Sequence, residues 1–483
     1  MKKITKLIFN NTYRRLPEEF YHIVNPKPFE NPFLICLNPE MAKEIELDPD
    51  AMETAELAEY LSGKKLIPGS EPIALYYTGH QFGVYNPHIG DGRAILLGEV
   101  VNLKGNKWDL HLKGAGPTKY SRGFDGRAVL RSTIREYLCS EAMYYLGIPT
   151  TRGLSIVGSD EKVERETTES GAMLIRMAKS HVRFGSFEGF FFNGQTENIK
   201  ILADYVIKNI YPDYTDKPES YRLMAMDVAK RTGELIAKWQ AFGFTHGVMN
   251  TDNMSIIGDT IDYGPYAFME TYISDFTPNH SDHFGRYSFK SQPAIAYWNL
   301  NKLLQSLSSL LTVEEVQEAL GEYREAYAEN YLGLMARKFG FKGFIEGDKK
   351  FFDDALELLE KKKIDFPIFF RELSGVTLDA KVESTEVKKI GNEWIKSYLK
   401  RLNAESSEDE IRKKLMDSVN PKYVLRTYIA ENAIRQATEN QDYSEIETVR
   451  KILMNPFDEQ PENEQYSFKP PEGAEVTALS CSS

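Results

Sequence analysis

The feature that most constrains the fold is a change of hydrophobic period near residue 190. Before it, apolar residues alternate with polar ones; after it, they recur at helical spacing. "AILLGEVV" (94–101) and "KWDLHLK" (107–113), joined by the polar, glycine-containing "NLKGN", have the pattern of a β-hairpin. In the second strand Trp108, Leu110 and Leu112 point one way, and Asp109, His111 and Lys113 the other. "GAMLIRMAKSHVRFG" (171–185) reads as a strand and a connector. One helix interrupts the strands, "RAVLRSTIREYLCSEAMYYLG" (127–147), with Asp125 as a possible cap and Gly147 closing it. Beyond 190, "YRLMAMDVAKRTGELIAKWQAFG" (221–243) ends at Gly243, and more helices are expected near 297–336, 350–363, 384–402, 408–418 and 422–437.

This order predicts an α+β chain. Residues 1–70 read as an N-terminal extension, 71–190 as a strand-rich lobe, 191–455 as a mainly helical lobe, and 456–483 as an acidic, proline-rich tail. At 483 residues, 42% hydrophobic and 27% charged, the chain has the composition of a globular protein. Its net charge of −12 weighs against a duplex-binding surface, though not against a local basic pocket for one nucleotide. No run approaches the roughly 18 apolar residues of a membrane span. The N-terminus lacks the pattern of a signal peptide. Three cysteines, Cys36, Cys139 and Cys481, are too few for a disulfide framework, and the expectation is a cytoplasmic protein without membrane or nucleic-acid partners.

The chemistry-bearing residues follow the outline of a phosphate site. Gly90 and Gly92 form a turn before a strand, where backbone amides can approach phosphates, and Arg93 stands beside it. Lys113 lies on the polar face of its strand, and Glu136 on a low-charge strip of the following helix. In protein kinases such a carboxylate positions the lysine that holds ATP phosphates. From spacing alone, a surface lysine and a surface glutamate that never meet is an open alternative. "HGVMNTDN" (246–253) has the His-to-Asn separation of the kinase catalytic loop, but Val248 stands where the kinase base would be, and valine cannot accept a proton. "IDYG" (261–264) resembles Asp-Phe-Gly, and a short hairpin, "MSIIGDTI", would set Asn253 and Asp262 on one pocket as oxygen ligands for magnesium. Asp252 is a candidate base, with a turn-capping role as the alternative. Arg176 and Arg183 suit phosphate contacts, but their spacing does not fix a shared face. In "NHSDH" (279–283) His280, Asp282 and His283 lack a third ligand at a familiar zinc spacing, and a loop held by histidine hydrogen bonds is expected.

"YTGHQFGVYNPHIGDGRA", "LHLKGAGPTKYSRGFDGRAVLRSTIREYL", "HGVMNTDNMSIIGDTIDYGPYAF", "NPKYVLRTYIAENAI", "NPFDEQPE" and the terminal "CSS" together resemble the selenoprotein O (SelO, also YdiU) family, from about residue 70 to the end. The resemblance implies a two-lobed protein-kinase-like fold and transfer of AMP from ATP to protein Ser, Thr or Tyr hydroxyls, with Mg²⁺ or Mn²⁺. It implies an ATP held flipped, so that the α-phosphate meets the nucleophile. Gly90, Gly92, Arg93, Lys113, Asp125, Gly126, Arg176 and Arg183 then match nucleotide contacts, with Glu136 supporting Lys113. Asp252 matches the base, and Asn253 and Asp262 the metal ligands. A pseudokinase scaffold that holds ATP without turnover, or an unconventional kinase, are the alternatives. Cys481 stands where many eukaryotic members carry selenocysteine. Some members pair that position with a cysteine in the activation segment, but 265–300 contains none.

Overall fold

The computed structural model describes residues 1–379 and 381–472. Its centre is an eight-stranded antiparallel sheet. From one edge the order is Tyr21–Ile23, Ile73–Leu75, Ala94–Val101, Lys107–Lys113, Thr168–Ala178, Arg152–Glu164 and Phe33–Leu37, and Ala128–Val129 adds to Thr168–Ala178. Both outermost strands of this path therefore come from the first 70 residues, which are woven into the sheet.

The alternation read in "KWDLHLK" is present, with both faces covered. Leu110 and Leu112 join Met173, Ile175 and Met177 in an apolar layer that also takes Met41, Leu57 and Leu61 from the helices Pro39–Glu44 and Thr54–Leu61. The opposite face carries Asp109, His111 and Lys113, all buried. Register places Arg176 across from His111 and Leu174 across from Lys113. Directly paired residues point the same way, so Arg176 and Lys113 share a face.

That face is covered by the helix Leu130–Tyr145, and the helices Thr427–Glu439 and Ser444–Leu453 pack against this helix in turn. Leu130, Ile134, Leu138 and Ala142 are buried as the spacing predicts, but so are Thr133, Glu136, Ser140 and Met143. A helix packed on more than one side has no solvent stripe to reveal its orientation. Asp125 does not cap it. Ala128–Val129 first pairs with the sheet, leaving Val129 at the N-cap; Asp125 instead accepts from the Arg127 N–H and pairs with Arg165.

In the helical part, Ser220–Phe242 ends where Gly243 takes φ 69°, a left-handed stop that glycine adopts without strain. The chain then forms the short pair Phe244–Thr245 and Ala267–Phe268, and the segment between them is the candidate loop. The loop at 279–287 is held by Asn279 and Asp282 rather than by histidines: Asp282 accepts from the Arg286 and Tyr287 N–H groups, while His280 and His283 are exposed. Among the described residues no helix is long and apolar enough to cross a membrane. Cys36 and Cys139 are free thiols, and Cys481 lies outside the described residues.

Candidate active site

Between the sheet and the 244–268 segment lies a cleft of about 790 Å³. Gly90, Gly92, Arg93, Lys113, Asp125, Gly126, Arg176, Arg183, Asp252, Asn253 and Asp262 all line it. Glu136 lies behind the wall, with its carboxylate on the Lys113 ammonium. Strand parity put Lys113 on the inward face and the covering helix put Glu136 opposite, so the two meet although neither is at the surface. Burial lowers the Lys113 pKa, and the Glu136 charge opposes that shift. Breaking such a buried pair by removing one partner costs about 3–5 kcal/mol, because the remaining charge stays out of water.

Arg176, from the strand, and Arg183, just before the helix Phe184–Phe192, converge on Asp262. Each guanidinium takes one carboxylate oxygen. Arg176 also reaches Glu136 at 3.3 Å and His111 Nδ1 at 2.8 Å, and Arg183 donates to the Asp252 carbonyl at 2.8 Å. Burial would raise the Asp262 pKa, but Arg183 and Arg176 hold it well below the usual carboxylate range. Asp262 itself has φ 56°, in the left-handed region that non-glycine residues enter at a cost of about 1–3 kcal/mol. Its side chain remains a quarter exposed to the cleft.

The loop around residue 252 is fixed from several sides. His246 lies in hydrogen-bond contact with the Ile261 carbonyl at 2.9 Å, tying the two motifs together, and Asn253 Nδ2 donates to the Val248 carbonyl at 3.0 Å. Met254 and Thr260 form an antiparallel bridge, so Asn253 and Asp262 flank one turn. Val248 lines the cleft as an apolar side chain. Burial pushes the Asp252 pKa up to about 7, against the pull of the Arg183 charge. Its Oδ1 is buried and has no hydrogen-bond partner among the described residues.

The glycines have packing reasons of their own. A Cβ on Gly92 would lie 2.9 Å from the Tyr120 carbonyl, and one on Gly126, at φ 67°, 2.2 Å from the Gly116 carbonyl. Gly92 lets the 90–93 turn stack on the 114–126 loop at backbone distance, and Gly126 lets that loop close on itself.

Three features were missed in the sequence. Asp91 accepts from the Leu75 N–H and the Tyr77 hydroxyl and pairs with His111 at 2.9 Å, which anchors the glycine turn. Arg165 lines the cleft paired to Asp125. Gln81 reaches Asp252 from a hairpin whose strands, at three residues each, are too short for alternation to show.

A metal would fit here only in part through protein groups. The donors at hand are carboxylate and amide oxygens, which suit a hard cation: Asp262 and the Asn253 amide, whose nitrogen is engaged elsewhere. Among the described residues no group of three or more His, Cys, Asp or Glu could hold a metal alone. Both Asp262 oxygens are also on arginines. Such a set suits a cation that arrives with ligand phosphates.

The family model described as protein adenylyltransferase SelO matches residues 3–454. A protein nucleotidyltransferase YdiU of Thiobacillus denitrificans is 47% identical over the whole of both chains. Those of Myxococcus xanthus and Pseudomonas fluorescens strain SBW25 are 46% and 45% identical, again over both full lengths. With a full-length match of this kind on top of a family model spanning nearly every residue, the chain belongs to the protein adenylyltransferase SelO family.

Proposed function

We propose that this protein transfers AMP from ATP to Ser, Thr or Tyr hydroxyls of other proteins, within a two-lobed kinase-like arrangement whose cleft divides 71–190 from 191–455. The observation that carries the reading is the convergence of Lys113, Arg176 and Arg183 at one end of the cleft, with Asp252 on the adjoining loop. Three cations in one buried cluster match the charge-dense β,γ-phosphates, and arginine forks suit phosphate oxygens. The α-phosphate is then left toward the Asp252 loop, the reverse of the kinase orientation.

In the transfer, the acceptor oxygen bonds to the α-phosphorus as the bond from that phosphorus to the pyrophosphate oxygen breaks. Asp252 takes the hydroxyl proton, and the three cations stabilise the departing pyrophosphate. Asn253 and Asp262 would hold Mg²⁺ or Mn²⁺, which supplies charge neutralisation at the phosphates. Val248 is what disfavours a kinase, since an apolar side chain occupies the position from which a base would serve a γ-phosphate.

The test is incubation with ATP labelled at either the α- or the γ-phosphate. Label on protein from the α-position alone is expected. Label from the γ-position alone would make the protein a kinase, and label from neither would leave a nucleotide-binding scaffold.

A further inference from the structure

The short hairpin of strands Gly79–Gln81 and Val84–Asn86 is fastened to three consecutive residues of the loop that carries Asp252. The Phe82 N–H donates to Asn250 Oδ1 at 3.3 Å, the His80 N–H to Thr251 Oγ1 at 2.7 Å, and Gln81 Nε2 to Asp252 Oδ2 at 3.3 Å. The approach is close: a Cβ on Gly79 would come within 2.8 Å of Thr251 Oγ1 and 2.9 Å of Asp252 Oδ1. His80 Nδ1 meets Glu188 at 2.5 Å, which ties the hairpin to the helix Phe184–Phe192 as well.

Gln81 is the only side-chain donor to the Asp252 carboxylate among the described residues. An amide can present either its NH₂ or its oxygen, so something must set its polarity. Here a backbone group does. The His88 N–H donates to Asn86 Oδ1 at 3.0 Å, which turns Asn86 Nδ2 toward Gln81 Oε1 at 3.1 Å. With its oxygen so occupied, Gln81 can offer Asp252 only a donor. The order of donors along His88, Asn86, Gln81 and Asp252 follows from a main-chain N–H that cannot reverse.

We propose that Gln81 is a positioning residue for the proton-accepting carboxylate of Asp252, and that Asn86 keeps its amide in the donating orientation. The inference rests on the proposed AMP transfer with Asp252 as base. A base acts only when its lone pair is aimed at the hydroxyl, and a carboxylate on a short side chain is otherwise free to rotate about its Cβ–Cγ bond. One bond to Oδ2 from a rigid, multiply anchored hairpin restricts that rotation. The hairpin also lines the cleft through Gln81 and Phe82, so it forms part of the cleft wall beside Asp252.

The full-length protein is assayed for transfer of α-labelled AMP to β-casein as a generic hydroxyl-bearing acceptor, with Mg²⁺ or Mn²⁺. Gln81→Leu is expected to lower kcat about tenfold or more, with KM for ATP within about twofold and an unchanged melting temperature. Asn86→Asp, which keeps the shape but turns an acceptor toward Gln81 Oε1, should cause a similar loss in the native background and none on top of Gln81→Leu. In an Asp252→Asn background, Gln81→Leu should add nothing, because the group it positions is gone. A purely structural role would instead slow both backgrounds alike, and that result overturns the inference, as does an unchanged kcat for Gln81→Leu. No α-label transfer by the unmodified protein would overturn the proposed function and this inference together; transfer that ignores Gln81 overturns this inference alone.

Discussion

Replacing Arg176 with alanine separates the two ends of a bound nucleotide. The residue is well chosen because each carboxylate it contacts keeps a second cation: Glu136 retains Lys113, and Asp262 retains Arg183. No buried carboxylate is left wholly unpaired, so the fold should lose far less than the several kcal/mol that an orphaned charge costs. In the proposed orientation the substitution removes one charge-assisted contact to the outer phosphates, each worth about 1.5–3 kcal/mol. That corresponds to about a 10- to 150-fold loss of ATP affinity. AMP has no β- or γ-phosphate, so its affinity should change by less than about threefold. Isothermal titration of a non-hydrolysable ATP analogue and of AMP, on native and variant protein, gives both numbers, and a thermal melt checks the fold. Equal losses for ATP and AMP would refute the reasoning, since Arg176 would then be meeting the part of the nucleotide the two share.

Four further outcomes are expected, three at the cleft and one at the buried Lys338. Asp252→Ala should lower AMP transfer by a factor of about 10²–10⁴ with little change in ATP binding, and Val248→Asp should yield no γ-phosphate transfer; robust γ-label on protein from the latter would mean that the nucleotide lies the other way round. Mn²⁺ should bind measurably only when ATP or its analogue is present, because the protein donors are few and Asp262 is held by arginines; tight binding to the nucleotide-free protein, read by calorimetry, would contradict this. Lys338 closes the helix Val313–Lys338 with Nζ 4.3 Å from the centre of the Phe370 ring, and burial pushes its pKa down to about 7. The unfolded chain holds that proton up to a pH of about 10, so stability should rise with pH between 7 and 10 and lose this gain as pH falls back to 7. Lys338→Met should flatten the rise and add up to about 4 kcal/mol at pH 7, and an unchanged slope in chemical denaturation would count against the assignment.

The parts of the site that the sequence made legible are those fixed by local periodicity. Strand parity at 107–113 put Lys113 on the same face as His111, and the helical repeat of 130–145 set Glu136 apart from Leu130, Ile134 and Leu138. The Asn253–Asp262 pair was readable because one short turn separates them. Arg176 and Arg183 were not, since their meeting depends on a chain turn between a strand and a helix that spacing does not encode. Asp125 was misread as a cap because the two-residue strand Ala128–Val129 between it and the helix is too short to show a period. The 279–287 loop drew attention for its histidines, yet Asp282 organises it, since a carboxylate can accept from two successive N–H groups and exposed imidazoles need not. Gln81 lay furthest from view: its partner Asp252 is 171 residues away, and only the docking of a separate short hairpin on the 250–252 loop brings them together.

The order of the phosphates in the cleft is the most direct test. A structure of the protein with a non-hydrolysable ATP analogue and Mg²⁺ gives the distance of each phosphorus atom from the Asp252 carboxylate. The account predicts that the α-phosphorus is nearest, with the γ-phosphate among Lys113, Arg176 and Arg183. A γ-phosphorus nearest to Asp252, with the α-phosphate against the arginines, would contradict it.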